Sequence, residues 1–165
     1  MDVKYVPSAC YAGEDGEKFY QYTMLEEASR KRFIYAYRET GGYSTCDFVK
    51  RAIIWFGYAP DIIQTDNGGE FTHTKKTKRI HPFDSLCAEL HITHKLIRPR
   101  TPWHNGKVER SHRNDQERFY NHLSFYSYED LQIQMKRYLY RSNNIPMAVL
   151  GWKSPNQKQR EMETA

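Results

Sequence analysis

Two carboxylates in unlike settings are the residues of this chain best suited by their surroundings to do chemistry. Asp66 ends a short apolar run in Ile62-Ile63-Gln64-Thr65-Asp66-Asn67-Gly68-Gly69-Glu70-Phe71. A carboxylate at the carboxyl end of a buried strand lies where α/β folds place their ligands. The adjacent Asn67-Gly68 lets the backbone turn sharply and leaves room for a phosphate or a cation. Glu109 follows the turn-rich stretch Pro99-Arg100-Thr101-Pro102-Trp103-His104-Asn105-Gly106-Lys107-Val108, one turn into a helix that begins near Gly106. Its helical neighbours Asn105, Arg113 and Gln116 form a polar, partly basic face that suits a nucleic-acid backbone. Asp2, followed by Val3 in the first strand, is the third candidate; Glu14 and Asp15 fall in a turn and are poorer ones. Each has a plainer alternative: an ordinary Asp-Asn-Gly turn, a surface pair of Glu109 with Arg113, an acidic terminus.

Charge points the same way. Between Thr74 and Arg118 there are eleven Lys/Arg against five Asp/Glu, a net +6, which leaves −1 for the rest of a chain whose total is +5. All seven histidines lie between His73 and His122. A basic segment of this kind suits a polyanion, although a solvated basic surface has the same composition. Lys75, Lys76, Lys78 and Arg79 cluster in one loop. Three widely spaced cysteines with no CxxC pair argue against a disulfide framework or a structural zinc site, and for a reducing compartment. His91 and His94 straddle a helix-to-strand boundary and make a poor zinc pair. No stretch approaches the ~20 apolar residues of a membrane span and no signal peptide is visible.

At 165 residues, with a mean hydropathy of −0.87 but thirteen Tyr and eight Phe, the chain fits one domain with an aromatic core. Residues 2–6 read as a short strand broken by Pro7. Residues 18–25 and 32–37, rich in aromatic and β-branched side chains, read as two more. Ser44 is expected to cap a helix running to about Tyr58. A buried strand over 61–66, a helix over 82–90, a strand over 92–97 and helices over 107–122 and 128–141 follow. The tail from Asn143 is polar and is expected to pack loosely. The first three strands can form an antiparallel meander, and the later two need helical crossovers and should be parallel. A mixed five-stranded sheet flanked by helices results.

The strand-Asp-Asn-Gly pattern at Asp66, and the Pro, Asn105-Gly106 and Val108 that lead into Glu109, resemble the catalytic core of the acidic-triad transposases and retroviral-type integrases. The resemblance extends from Asp2 to about Pro155, so residues 1–155 are expected to form the catalytic core and 156–165 a C-terminal tail. It implies the α/β, ribonuclease H-like fold. It also implies that Asp2, Asp66 and Glu109 are the catalytic, metal-binding carboxylates, holding two Mg²⁺ ions or Mn²⁺ in their place. Asp2 would lie only one residue into a strand whose first half is missing. Two ions about 3.5–4 Å apart activate an attacking oxygen and stabilise the leaving one. With water attacking, DNA is hydrolysed; with a DNA 3′-hydroxyl attacking, a strand is transferred. No protein nucleophile is needed. Forty-two residues separate Asp66 from Glu109, more than in most retroviral members. The extra length falls in 71–82, which favours a bacterial insertion-sequence transposase in the cytosol.

The expected partner is DNA, both element ends and target. Asn67, Lys75, Lys76, Lys78, Arg79, His104, Asn105, Lys107, Arg110 and Arg113 would contact it. His112 would touch phosphate or help position water, and Trp103 would stack, wedge or anchor. A homo-oligomer, at least a dimer, is expected, with no membrane association. A hydrolytic nuclease of the same fold and a catalytically silent DNA-binding relic are the alternatives.

Overall fold

The computed structural model describes residues 1–14, 16–98 and 106–164. Strands β1 (Asp2–Tyr5), β2 (Tyr20–Leu25) and β3 (Arg32–Tyr37) form an antiparallel meander, with Asp2 opposite Thr23 and Tyr22 opposite Tyr35. Helix α1 (Gly42–Phe56) follows, then β4 (Ile62–Thr65), helix α2 (Pro82–Glu89) and β5 (Thr93–Leu96). β4 and β5 pair in parallel with α2 as their crossover, as a parallel connection requires. The five expected strands are present, but their ladders fall into a three-stranded and a two-stranded group. The groups meet where the Met1 ammonium donates to the Gln64 carbonyl of β4 at 2.7 Å.

Helices α3 (Gly106–Arg118) and α4 (Tyr128–Ser142) come next, separated by a 3-10 turn over Tyr120–His122. The tail departs from expectation. It folds into α5 (Pro155–Thr164), which crosses position 155. The Ser154 hydroxyl accepts from the Gln157 N–H, the Asn156 N–H reaches the Asn143 carbonyl, and Gln159 is buried. Polar contacts rather than an apolar stripe hold this helix, so hydrophobic periodicity does not reveal it. Among the described residues no helix is long and apolar enough to cross a membrane.

Local chemistry explains the helix ends. Ser44 is not the cap of α1; the helix starts after Gly41, and Ser44 is buried inside its first turn. A Cβ on Gly42 would meet the His81 ring at 3.1 Å, so glycine there permits close packing against α2. α1 stops at Gly57, whose φ of 83° is the left-handed conformation of a helix-ending glycine. His81 caps α2 by accepting the Phe83 N–H at 3.2 Å, with Pro82 at the first helical position. Ser127 caps α4 by accepting the Asp130 N–H at 3.1 Å. The core lies between α1 and the meander. Tyr22, Phe48, Val49 and Ala52 are fully enclosed, and the Phe33 and Phe48 rings stack at 5.4 Å.

Beneath α3 the interior is polar. Asp115 is completely buried and accepts from the Arg32 guanidinium, from Tyr138 Oη at 2.9 Å and from Gln21 Nε2 at 2.8 Å. Arg32 also donates to Ser111 Oγ at 2.7 Å, and Gln21 Oε1 accepts from Tyr120 Oη. Every partner of Asp115 comes from β2, β3 or α4, so this cluster fixes α3 on the sheet.

Candidate carboxylate site

Asp2 is half-buried at the start of β1, and both of its oxygens have polar neighbours. Oδ1 accepts the Val3 N–H at 2.9 Å, and Oδ2 lies 3.5 Å from His112 Nδ1 on α3. Burial pushes its carboxyl up to about 6, against the opposing Val3 N–H bond and Met1 ammonium, with the negative charges of Asp66 and Glu70 adding to the rise. Asp2 and Asp66 are therefore close enough to act on one another through space. The Met1 ammonium feels both and is itself driven down to about 6 by burial.

Asp66 follows directly on β4. Its Oδ1 accepts the Gly68 N–H at 2.9 Å, and the Gly68 carbonyl in turn accepts from the N–H groups of Phe71 and Thr72 at 3.0 Å. This tight turn folds Glu70 back: its carboxyl lies 2.8 Å from where a Gly68 Cβ would be, and Thr45 Oγ1 holds its carbonyl. Any side chain at position 68 would displace Glu70. Sequence reading missed Glu70, since only the fold of the turn reveals its approach to Asp2. Asn67, exposed, donates to the Ile97 carbonyl at 3.1 Å and so ties the turn to the end of β5.

Glu109 lies in the first turn of α3, where a negative charge suits the helix dipole, and its side chain is exposed. The residues leading into it, 99–105, lie outside the described structure, and with them the expected contacts of Trp103, His104 and Asn105. Among the described residues no group of three His, Cys, Asp or Glu side chains is gathered as a metal site. The donor chemistry at Asp2 and Asp66 nevertheless fits a hard divalent cation. Magnesium is commonly held by one or two carboxylates, with waters and substrate phosphates completing its shell.

His112 is half-buried behind Asp2. Burial drives it down to about 4, aided by the nearby cations Lys4 and Arg32 and opposed by Asp115, so the ring is neutral near pH 7. His94 is engaged elsewhere, between Thr65 Oγ1 at 2.8 Å and Asp84 Oδ1 at 2.6 Å. The expected basic residues form two groups. Lys75, Lys76, Lys78 and Arg79 are all exposed in the loop between β4 and α2. Lys107, Arg110 and Arg113 are exposed on α3, where Lys107 pairs with Glu27.

The integrase core domain family matches residues 1–102, and a second family of the same description matches 90–155. The chain belongs to the integrase core domain family. A curated relative, "Putative integrase ORF3" of Spiroplasma virus SpV1-C74, is 30% identical over 156 residues, covering 87% of this chain. The chain spans 41% of the length of that relative. Solved structures share the fold at low identity. A simian T-cell lymphotropic virus intasome, in complex with a PP2A regulatory subunit, aligns with a TM-score of 0.69 at 17% identity, over 95% of this chain and 51% of that one. The HTLV-2 integrase catalytic core domain in complex with magnesium aligns at 0.67 and 18%, over 95% and 91%. The BIV integrase catalytic core domain aligns at 0.67 and 17%, over 99% and 95%. The ribonuclease H-like α/β architecture expected from sequence is thus the architecture of this integrase core domain.

Proposed function

We propose that this integrase core domain is a metal-dependent polynucleotidyl transferase that cuts DNA and joins a DNA 3′-hydroxyl to a target strand. The observation that carries the reading is the placing of Asp2, at the start of β1, beside Asp66, just past β4, where the Met1 ammonium bonds the Gln64 carbonyl. Glu109, at the start of α3, is the third member of the set. The magnesium-bound neighbour supports the same chemistry. Divalent ions at this site would supply charge neutralisation and activate the attacking oxygen.

The chain's own groups have separable tasks. Asp2 and Asp66 hold positive charge against the scissile phosphate. The Gly68 N–H fixes the rotamer of Asp66. Exposed Lys75, Lys76, Lys78 and Arg79, together with Arg110 and Arg113, draw in the DNA backbone without reading its sequence. Asn67, Lys107, His104 and Asn105 complete the proposed DNA-contacting set. Assembly as at least a dimer belongs to the same reading, and light scattering of the full-length protein tests it.

The deciding experiment compares full-length wild type with Asp66→Asn and Glu109→Gln on a pre-cut DNA end, with Mg²⁺ or Mn²⁺. The amide keeps the shape and removes the charge, so each variant should lose on the order of a thousandfold or more in rate. Equal activity in all three proteins overturns the mechanism. Cleavage without joined products would assign the hydrolytic nuclease instead.

A further inference from the structure

The carboxylate site is backed by a chain of hydrogen bonds that runs from the buried ion pair to His112, whose Nδ1 faces Asp2 at ion-pair distance. Asp115 Oδ2 accepts one Gln21 Nε2 hydrogen at 2.8 Å, and Thr23 Oγ1 accepts the other at 2.9 Å. Thr23 Oγ1 is 3.3 Å from His112 Nε2, and His112 Nδ1 is 3.5 Å from Asp2 Oδ2. The directions at the buried end are fixed by Asp115 and Gln21. Asp115 is paired with Arg32 and accepts only. The amide nitrogen of Gln21 is fixed by its opposite end, because its Oε1 accepts from Tyr120 Oη. Thr23 Oγ1 accepts from Gln21 and shares a further hydrogen bond with His112 Nε2. Nδ1 is then the nitrogen that faces Asp2.

We propose that His112 is the positioning residue of the carboxylate pair, setting its Nδ1 against Asp2 Oδ2 and tying strand β1 to the helix turn that bears Glu109. The inference rests on the carboxylates being the metal site. Asp2 is then held at both oxygens, by Val3 N–H and by His112, and each oxygen keeps a lone pair for a cation. His112 lies three residues after Glu109 on α3, so the contact that orients Asp2 also sets how far that helix stands from the strand. Hydrogen bonds to ligating carboxylates are worth about 10–100-fold in metal affinity when removed. Thr23, directly across the ladder from Asp2, is the second member of the device.

The test is direct titration of full-length protein with Mn²⁺, without DNA, followed by electron paramagnetic resonance, with metal-free thermal unfolding as control. His112→Phe keeps the ring and removes both nitrogens; its Mn²⁺ dissociation constant should rise about 10–100-fold. His112→Asn places an amide N–H near the position of Nδ1 and should restore most of the affinity. His112→Gln reaches only toward Thr23 and should not. Thr23→Val, which leaves α3 untouched, should weaken Mn²⁺ binding several-fold alone and add nothing on top of His112→Phe. Wild-type affinity in His112→Phe overturns the inference, as does equal affinity in the Asn and Gln variants. A wild-type protein with no saturable Mn²⁺ binding removes the carboxylate site itself, and the positioning role with it. Binding that is lost in Asp2→Asn but retained in His112→Phe removes only the positioning role.

Discussion

Asp2 and Glu109 belong to the same proposed set and have opposite surroundings. Asp2 is half-buried, accepts the Val3 N–H, lies against His112 and feels the charges of Asp66 and Glu70. Glu109 stands exposed on the first turn of α3. Yet α3 is anchored further along through Asp115 and its buried donors. The preformed half of the site lies on the strands, and the exposed half on the leading turn of a helix anchored further along. On the proposed reading, such a division would let two carboxylates set a cation's position before substrate arrives, while the third would engage with the phosphate present.

Separating metal capture from catalysis breaks or sharpens this contrast most strongly. Asp2→Asn and Asp66→Asn should abolish both DNA-free Mn²⁺ binding and strand transfer. Glu109→Gln should lose strand transfer by on the order of a thousandfold but keep most of the DNA-free binding. Titrations in which all three variants lose Mn²⁺ equally would show that the turn of α3 is as preformed as the strands.

Next in size is the anchor. Asp115→Ala leaves the Arg32 guanidinium buried without its counter-charge, and should cost about 3–5 kcal/mol in denaturant unfolding. A loss below about 1 kcal/mol would mean that water reaches Arg32 and that α3 is not fixed from below.

The exposed basic loop should behave as a separate region. Changing Lys75, Lys76, Lys78 and Arg79 together to Gln should flatten the salt dependence of DNA binding, by about 0.9 in logarithmic slope for each phosphate no longer neutralised. Thermal stability should stay within about 0.5 kcal/mol of wild type. An unchanged slope would place the DNA path on α3 alone. The smallest effect is expected at Ser127→Ala, which removes the α4 cap and should cost about 1 kcal/mol without altering Mn²⁺ binding.

Sequence revealed what depends on local pattern. The aromatic runs gave β2 and β3, and the apolar run ending in Asp66-Asn67-Gly68 gave both β4 and its carboxylate. Features set by distant parts of the chain stayed hidden. Ser44 has the chemistry of a cap, but the Gly41-Gly42 pair lets the helix begin earlier. α5 lacks an apolar stripe because Asn143, Ser154 and Gln159 hold it by polar contact. Glu70 is folded back against Gly68, near enough for Asp2 to feel its charge, only by a hydrogen-bonded turn. The contact between Asp2 and His112 joins residues far apart in sequence, and neither neighbourhood contains a signal for it. The histidine's place one turn after Glu109 was the available hint.

The loop that carries the four basic residues is fastened at both ends. Phe71 and Phe83 are fully enclosed, and His81 both caps α2 and touches the Gly69 carbonyl through Nε2 at 3.2 Å. The chain between these fixings runs over the surface and returns to nearly the place it left. Doubling the length of such an excursion costs only about 0.6 kcal/mol in closure entropy. Insertions and deletions there can accumulate without shifting β4 or α2, and the number of positive charges offered to a polyanion can drift with them. For lineages that share these carboxylates, the loop is a cheap variable for tuning residence on DNA, and for the experimenter a tolerant position for a reporter peptide.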